Sequence, residues 1–233
     1  MHILIVHAHP EPTSFNAAMT RTAHDALTGL GHRVLVSDLH VMDFDPVSDR
    51  RNFITTADPD RLRQQDEEAL ASRINGYTPE LQTEMEKLAW CDLLIFQFPL
   101  WWLGPPAILK GWIDRVFTVG RSYGGGRRFD TGMHRGKRAL CALTVGGSKA
   151  TYEAGGHYAP VEQILYPLHH GLLGFTGFTV LEPFVVYGPN RMSHLERREQ
   201  LMQYRKRLMG LDRMHASTED QLAQASEKAR FSR

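Results

Sequence analysis

The run Asp92-Leu93-Leu94-Ile95-Phe96-Gln97-Phe98 narrows most sharply what this chain can fold into. It is apolar at almost every position, so a strand built from it must be covered on both faces. That is the situation of a central strand in a parallel sheet. Pro99 ends the run, because proline has no N–H to give to a ladder.

Shorter apolar runs of the same kind lie at His2–Ala8, Arg33–Asp38, Arg138–Val145 and Phe178–Tyr187. Pro183 inside the last of these suggests an edge position or a bulge. Helical patterns separate the runs. The first spans Phe15–Leu30 and stops at Gly29 and Gly31. A weakly patterned connection follows from Leu39 to Gly76, with one helix expected over Asp60–Arg73. Thr78-Pro79-Glu80 reads as N-cap, N1 proline and first-turn acid of a helix over Pro79–Trp90. After Pro106, the residues Ile108, Leu109, Trp112, Ile113, Val116 and Phe117 form one apolar stripe. Gly120–Gly136 is rich in glycine and arginine and reads as a mobile loop. Another helix carries Ile164, Leu165, Leu168 and Leu172, and Ser193-His194-Leu195-Glu196 is a capping box opening a basic helix to Met209. Five strands alternating with helices imply an α/β fold: a doubly wound five-stranded parallel sheet with helices on both faces. Residues 1–210 form that domain, and 211–233 a polar C-terminal tail.

The chain has 233 residues and a net charge of +1, so nothing calls for nucleic acid or an anionic membrane as partner. It opens almost directly on a strand, without the charged and apolar regions of a signal peptide. No apolar run approaches the roughly 18 residues that a membrane span needs. Cys91 and Cys141 fall at or within strands and read as buried thiols of a reducing compartment, so a cytoplasmic protein without membrane insertion is expected.

In such a sheet, ligands bind beyond the C-terminal strand ends, at the point where strand order reverses. After the first strand, Thr13-Ser14-Phe15-Asn16 lead into a helix whose free N–H groups suit a phosphate, or else form a plain N-cap. There is no Gly-x-Gly-x-x-Gly and no Walker-type lysine. After Pro99 and Leu100, Trp101 and Trp102 suit a flat aromatic ligand, or else a packing plug or subunit interface. After the fourth strand come Thr144, Gly146 and Gly147, whose small size lets a ring system approach the backbone, then Tyr152 and His157, which can supply protons or hydrogen bonds. His7 and His9 share a strand face, but no third ligand stands at suitable spacing, and no metal is expected.

With these loops in place, residues 3 to about 209 resemble the NAD(P)H:quinone oxidoreductase family. The most specific stretches are His9 with Thr13-Ser14-Phe15-Asn16, Phe96-Gln97-Phe98-Pro99-Leu100, and Pro106-Ala107-Ile108-Leu109-Lys110-Gly111-Trp112. Thr144, Gly146-Gly147, Tyr152, Ile164-Leu165-Tyr166-Pro167, Gly177-Phe178 and Val180-Leu181-Glu182-Pro183 follow in the same order. The resemblance implies a flavodoxin-like homodimer that binds FAD rather than FMN. It implies two-electron, ping-pong transfer of a hydride from NADH or NADPH to a quinone or another flat electrophile, such as an azo or nitro compound. His9, Thr13, Ser14, Phe15 and Asn16 would meet the diphosphate and ribityl part. Pro99, Leu100, Trp101 and Trp102 would line the isoalloxazine, and Thr144, Gly146 and Gly147 its polar edge. Arg197 would lie near the adenine, Tyr152 would bond the flavin, and Trp102, Tyr123 and Phe175 would wall the substrate pocket. Tyr152 and His157 would act beside the flavin as the catalytic pair.

The chain departs from the well-known mammalian pattern in four places. An ungapped alignment puts Tyr158 at the place of the family histidine and His157 one residue earlier. Trp101 stands where those members have glutamine. Tyr123 is the one aromatic kept where they have two, and the C-terminal region does not match. Two other functions share the fold: a regulatory subunit of a potassium-efflux transporter, and an FMN one-electron carrier. The net charge of +1 argues against the carrier, which needs a strongly acidic docking face.

Overall fold

A computed structural model describes residues 1–211 of the chain. The expected polar tail falls, apart from Leu211, outside the described residues. The described residues form six strands: β1 (His2–His7), β2 (Arg33–Asp38), β3 (Leu93–Pro99), β4 (Arg138–Val145), β5 (Thr179–Val180) and β6 (Phe184–Tyr187). All pairings are parallel, in the order β2-β1-β3-β4-β5, with β6 also beside β4. The helices are α1 (Phe15–Gly29), α2 (Gln64–Ile74), α3 (Pro79–Trp90), α4 (Ala107–Val116), α5 (Val161–Ile164) and α6 (194–211).

All of β3 is buried, as its composition requires. One face of the sheet packs on α3, α4 and α5 through Leu94, Phe96, Leu81, Leu109 and Trp112. The other packs on α1 and α6 through Ile95, Met19, Leu27, Tyr204 and Leu208. Trp112 Nε1 donates to Glu84 Oε2 at 2.8 Å, and Lys87 Nζ donates to Glu84 Oε1 at 2.5 Å. The buried carboxylate is thus paired, as a buried charge must be. Both cysteines are buried and free. Burial lifts the Cys91 thiol to about 11 and raises that of Cys141 as well, so neither forms a thiolate readily.

Several expectations are refined. The single last strand is two: β5 pairs with Arg138–Ala139 and β6 with Ala142–Val145, and Pro183 lies in the break between them. The helix expected from Asp60 begins at Gln64, because Asp58 Oδ1 accepts the N–H groups of Asp60 and Arg61 and forms a turn first. Thr78 occupies the N-cap of α3, but its side chain makes no capping bond. The helix carrying Leu168 and Leu172 begins as α5 and continues as a π-helical segment, Pro167–Gly174. The capping box forms: Glu196 N–H donates to Ser193 Oγ at 3.3 Å, and Ser193 N–H to Glu196 Oε2 at 2.7 Å. The Gly- and Arg-rich loop is tethered at its base. Val119 N–H donates to Glu68 Oε2, Ser72 Oγ donates to Val119 O, and Ser122 Oγ lies 3.0 Å from His134 Nε2.

The weakly patterned connection is held by long-range contacts. Arg115 Nε donates to Asn52 Oδ1 at 2.8 Å, Arg115 Nη1 to Asp45 O, and the guanidinium lies 5.0 Å from the Phe44 ring centre. Gly111 permits that approach: a Cβ there would stand 2.3 Å from Pro46 O. Gly111→Ala is expected to cost on the order of 1–3 kcal/mol through overpacking. Urea unfolding checks this by a lowered midpoint at an unchanged m-value.

Candidate active site

The chain leaves β1 toward β2 on one side and returns to β3 on the other, so strand order reverses between β1 and β3. Beyond the C-terminal ends of those strands lies a cavity of about 250 Å³. His9, Phe15 and Asn16 line it from the segment after β1, Pro99, Leu100 and Trp101 from the end of β3, and Thr144 and Gly146 from the end of β4.

A buried polar chain fixes these segments relative to one another. Gln97 Nε2 donates to Asn16 Oδ1 at 3.0 Å, and Asn16 Nδ2 donates to Thr144 Oγ1 at 2.8 Å. Leu100 N–H donates to Thr144 O at 2.8 Å and holds the end of β3 against β4. Gln97 was not among the expected site residues. Its signal in the sequence is that it is the one polar side chain inside the otherwise apolar 93–98 run.

Ser14 is the N-cap of α1 and accepts the N–H of Ala17 at 3.1 Å. The first-turn N–H groups of Phe15 and Asn16 have no acceptor within the helix, so the positive end of α1 is presented to the cavity. Thr13 bonds Glu11 Oε1 through both its N–H and its hydroxyl, and it shapes the turn rather than the cavity lining. His9 Nδ1 accepts the Glu11 N–H at 3.0 Å, and burial lowers its pKa, so the neutral ring carries its proton on Nε2.

Trp101 and Gly104 exchange backbone hydrogen bonds of 2.9 and 3.0 Å around a two-residue turn. Both turn residues are left-handed, Trp102 at φ 50° and Leu103 at φ 60°. Such geometry suits glycine or asparagine and costs roughly 1–2 kcal/mol for each bulky residue. Trp102 is fully exposed at the tip, while Trp101 sits 6.1 Å from His9, ring centre to ring centre.

Tyr152 is buried beside Gly147, where a Cβ would meet its ring carbon Cε2 at 2.8 Å. Its ring packs 5.2 Å from Tyr158 and 6.0 Å from Tyr187. Tyr158, not His157, is therefore the ring laid against Tyr152, and His157 is exposed. Burial raises the Tyr152 pKa, Tyr158 adds to the rise, and the Gly147 N–H opposes it. Tyr123 and Phe175, both half-buried, pack on each other at 6.2 Å and join the exposed Phe129 in a separate aromatic group, outside the cavity lining. Arg197 does not line the cavity either; its Nε donates to Pro189 O at 3.0 Å. Gly188, Pro189 and Asn190, which complete the wall, were not anticipated, although a Gly-Pro pair is a turn signal. Among the described residues, no group of three or more His, Cys, Asp or Glu could hold a metal ion.

His7, at the end of β1, bonds Thr20 Oγ1 at 2.8 Å. Burial, partly offset by Asp38 and reinforced by His9, His40 and Arg21, lowers it to about 4. His134 is likewise lowered to about 4 by burial, with Lys137 adding to the effect. Both are neutral in the folded chain and would protonate when unfolded below about 6.5. The unfolded state then binds more protons, so stability falls between about pH 6.5 and 4, by at most on the order of 3 kcal/mol per histidine. Urea midpoints measured from pH 7 to 4.5 are expected to fall, and His134→Gln to lose part of that slope.

A family model described as a flavodoxin-like fold matches residues 1–209. The sequence is 44% identical over 207 residues to NAD(P)H dehydrogenase (quinone) 1 of Cavia porcellus, covering 88% of this chain and 75% of that one. It is 40% identical over 211 residues to ribosyldihydronicotinamide dehydrogenase (quinone) of Mus musculus, covering 90% and 91%. A crystal structure of a candidate quinone reductase from Klebsiella pneumoniae superimposes with a TM-score of 0.85 at 36% identity, covering 91% of this chain and 85% of that one.

Proposed function

Because the chain belongs to the flavodoxin-like family, we propose that it is a flavin-dependent NAD(P)H:quinone oxidoreductase. One observation carries the reading: a cavity at the strand-order reversal combines a helix N-terminus, an indole and a small-residue edge. The unpaired N–H groups of Phe15 and Asn16, with Nε2–H of His9, suit the phosphate of a flavin nucleotide. Trp101, Leu100 and Pro99 offer flat apolar contact to its ring, and Gly146 leaves room for the ring edge. The residues present therefore fit the group. FAD is the form proposed, because Arg197 stands at the adenine-end position of the family that the chain resembles and braces Pro189 on the cavity wall.

A flavin held by these residues would supply two-electron hydride chemistry between NADH or NADPH and a quinone, with the second proton of the hydroquinone coming from solvent. The protein's part is positioning and charge. Tyr152 Oη donates a hydrogen bond where negative charge develops during reduction, and its raised pKa keeps it protonated for that task. His157 is proposed as its partner from the adjoining loop. Trp102, Tyr123 and Phe175 are proposed as walls of the acceptor pocket. Tyr123 and Phe175 pack on each other while Trp102 is fully exposed, so a cytoplasmic homodimer that brings one copy's Trp102 to the other's aromatic group belongs to the same reading. No helix among the described residues is long and apolar enough to cross a membrane.

The purified protein is expected to be yellow and to bleach anaerobically with NADH or NADPH. It is expected to recover its colour with a benzoquinone, at one turnover per quinone added. Bleaching without recovery would refute the quinone assignment. Tyr152→Phe combined with His157→Ala is expected to slow flavin reduction at least about tenfold with flavin still bound, as stopped-flow absorbance would read.

A further inference from the structure

Arg191 lies outside every residue set described so far, yet it joins two walls of the cavity. Its Nη2 donates to Gly146 O across 45 residues of chain. The guanidinium lies close against Gly188, where a Cβ would stand 3.2 Å from Arg191 Nε and 3.3 Å from Nη2. Gly188 is left-handed at φ 62°, and its N–H donates to Val145 O at 2.7 Å. Arg191 N–H closes the turn on Gly188 O at 2.9 Å. The 188–191 turn is thereby strapped to the end of β4 from both its backbone and its side chain.

The acceptor of that bond decides what the strap does. In a trans peptide, the C=O and the following N–H point in opposite directions. A guanidinium that fixes the Gly146 carbonyl toward Arg191 therefore fixes the Gly147 N–H the other way. That N–H belongs to the residue against which the Tyr152 ring is packed, and its nearness opposes the rise of the Tyr152 pKa. The contact of Gly147 with the Tyr152 ring is close enough to exclude a Cβ, so the seat of the ring depends on how the peptide is oriented.

We propose that Arg191 is a positioning residue for Tyr152, acting through the Gly146–Gly147 peptide, and thereby sets the hydrogen bonding of the flavin cavity's polar edge. A charge-assisted, geometrically fixed bond is the strong kind, and arginine's planar fork is suited to a carbonyl that must be both held and oriented. Without it, the diglycine peptide is free to rotate, because glycine imposes little backbone preference of its own.

The inference rests on the flavin-site reading, and one experiment separates the two. Wild type, Arg191→Met, Arg191→Lys, Tyr152→Phe and the double variant Arg191→Met with Tyr152→Phe are compared. The readouts are stopped-flow flavin reduction, visible circular dichroism of the bound flavin, and thermal unfolding of the flavin-free protein. Arg191→Met is expected to slow reduction about tenfold, the loss of one charge-assisted hydrogen bond, and to change the circular dichroism bands. Because Arg191 is exposed, the flavin-free Tm is expected to stay within about 4 °C of wild type. Arg191→Lys is expected to restore part of the rate. In the Tyr152→Phe background, Arg191→Met is expected to add less than about twofold, the signature of coupled residues. Full multiplication of the two single effects, or an unchanged rate and spectrum in Arg191→Met, would overturn the proposal. If wild type binds no flavin, it is the flavin-site reading itself that fails.

Discussion

The hydrogen-bonded chain Gln97–Asn16–Thr144 is the interaction on which the rest of the site depends. Three strands of a parallel sheet end side by side, but nothing in the ladder itself determines how their following loops face one another. Asn16, buried in the first turn of α1, supplies both an acceptor and a donor and spends one on each neighbour. Removing it would take the donor from buried Thr144 Oγ1 and leave Gln97 Nε2 only a long contact with Met19 Sδ, a loss of roughly 1–3 kcal/mol for each group left unsatisfied. The same side chain anchors the helix whose N-terminus faces the cavity. Electrostatics and packing thus come from a single residue.

Around that chain, the cavity is assembled from strained or closely packed pieces. The Trp102-Leu103 turn holds two bulky residues in left-handed geometry, a cost accepted only where surrounding structure enforces it. Its effect is to project an indole into solvent while keeping Trp101 folded back toward His9. On the opposite side, the Gly188 turn is held by Arg191 and Arg197, each donating to a backbone carbonyl. Small residues occur where backbone must come close: Gly147 under Tyr152, Gly188 under Arg191.

Much of the fold could be read from the chain because its signals are local. The 93–98 run placed the central strand, and β2, α3 and β4 lie where their patterns put them, whereas Pro183, read as an edge or bulge signal, lies in a break that makes two strands of one. The connection from Leu39 to Gly76 was opaque for the opposite reason. Its order comes from Arg115, Gly111 and Asn52, residues distant in sequence whose contacts leave no periodicity. Eight of the residues expected at the cofactor site line one cavity, because each sits at a strand end, or in the loop or first helical turn that follows one, and the apolar runs had located those ends. The 188–190 wall and the role of Arg191 stayed hidden, since they rest on a turn meeting a loop some 45 residues away. The ring beside Tyr152 is Tyr158, and the side chain of His157, one residue earlier, is exposed, a contact that the loop's sequence does not specify.

The central claim is that flavin occupies the cavity between the ends of β1, β3 and β4. Gly146 gives direct access to it: it lines the cavity, and a Cβ added there meets nothing within 4 Å. The decisive measurement is flavin titration of flavin-free Gly146→Leu against wild type, alongside thermal unfolding of both. The account predicts an unchanged Tm and flavin affinity weakened at least about a hundredfold, since a leucine side chain would take up ring space and displace about 3 kcal/mol of contact. Wild-type affinity in a folded Gly146→Leu protein would contradict it and place the flavin elsewhere.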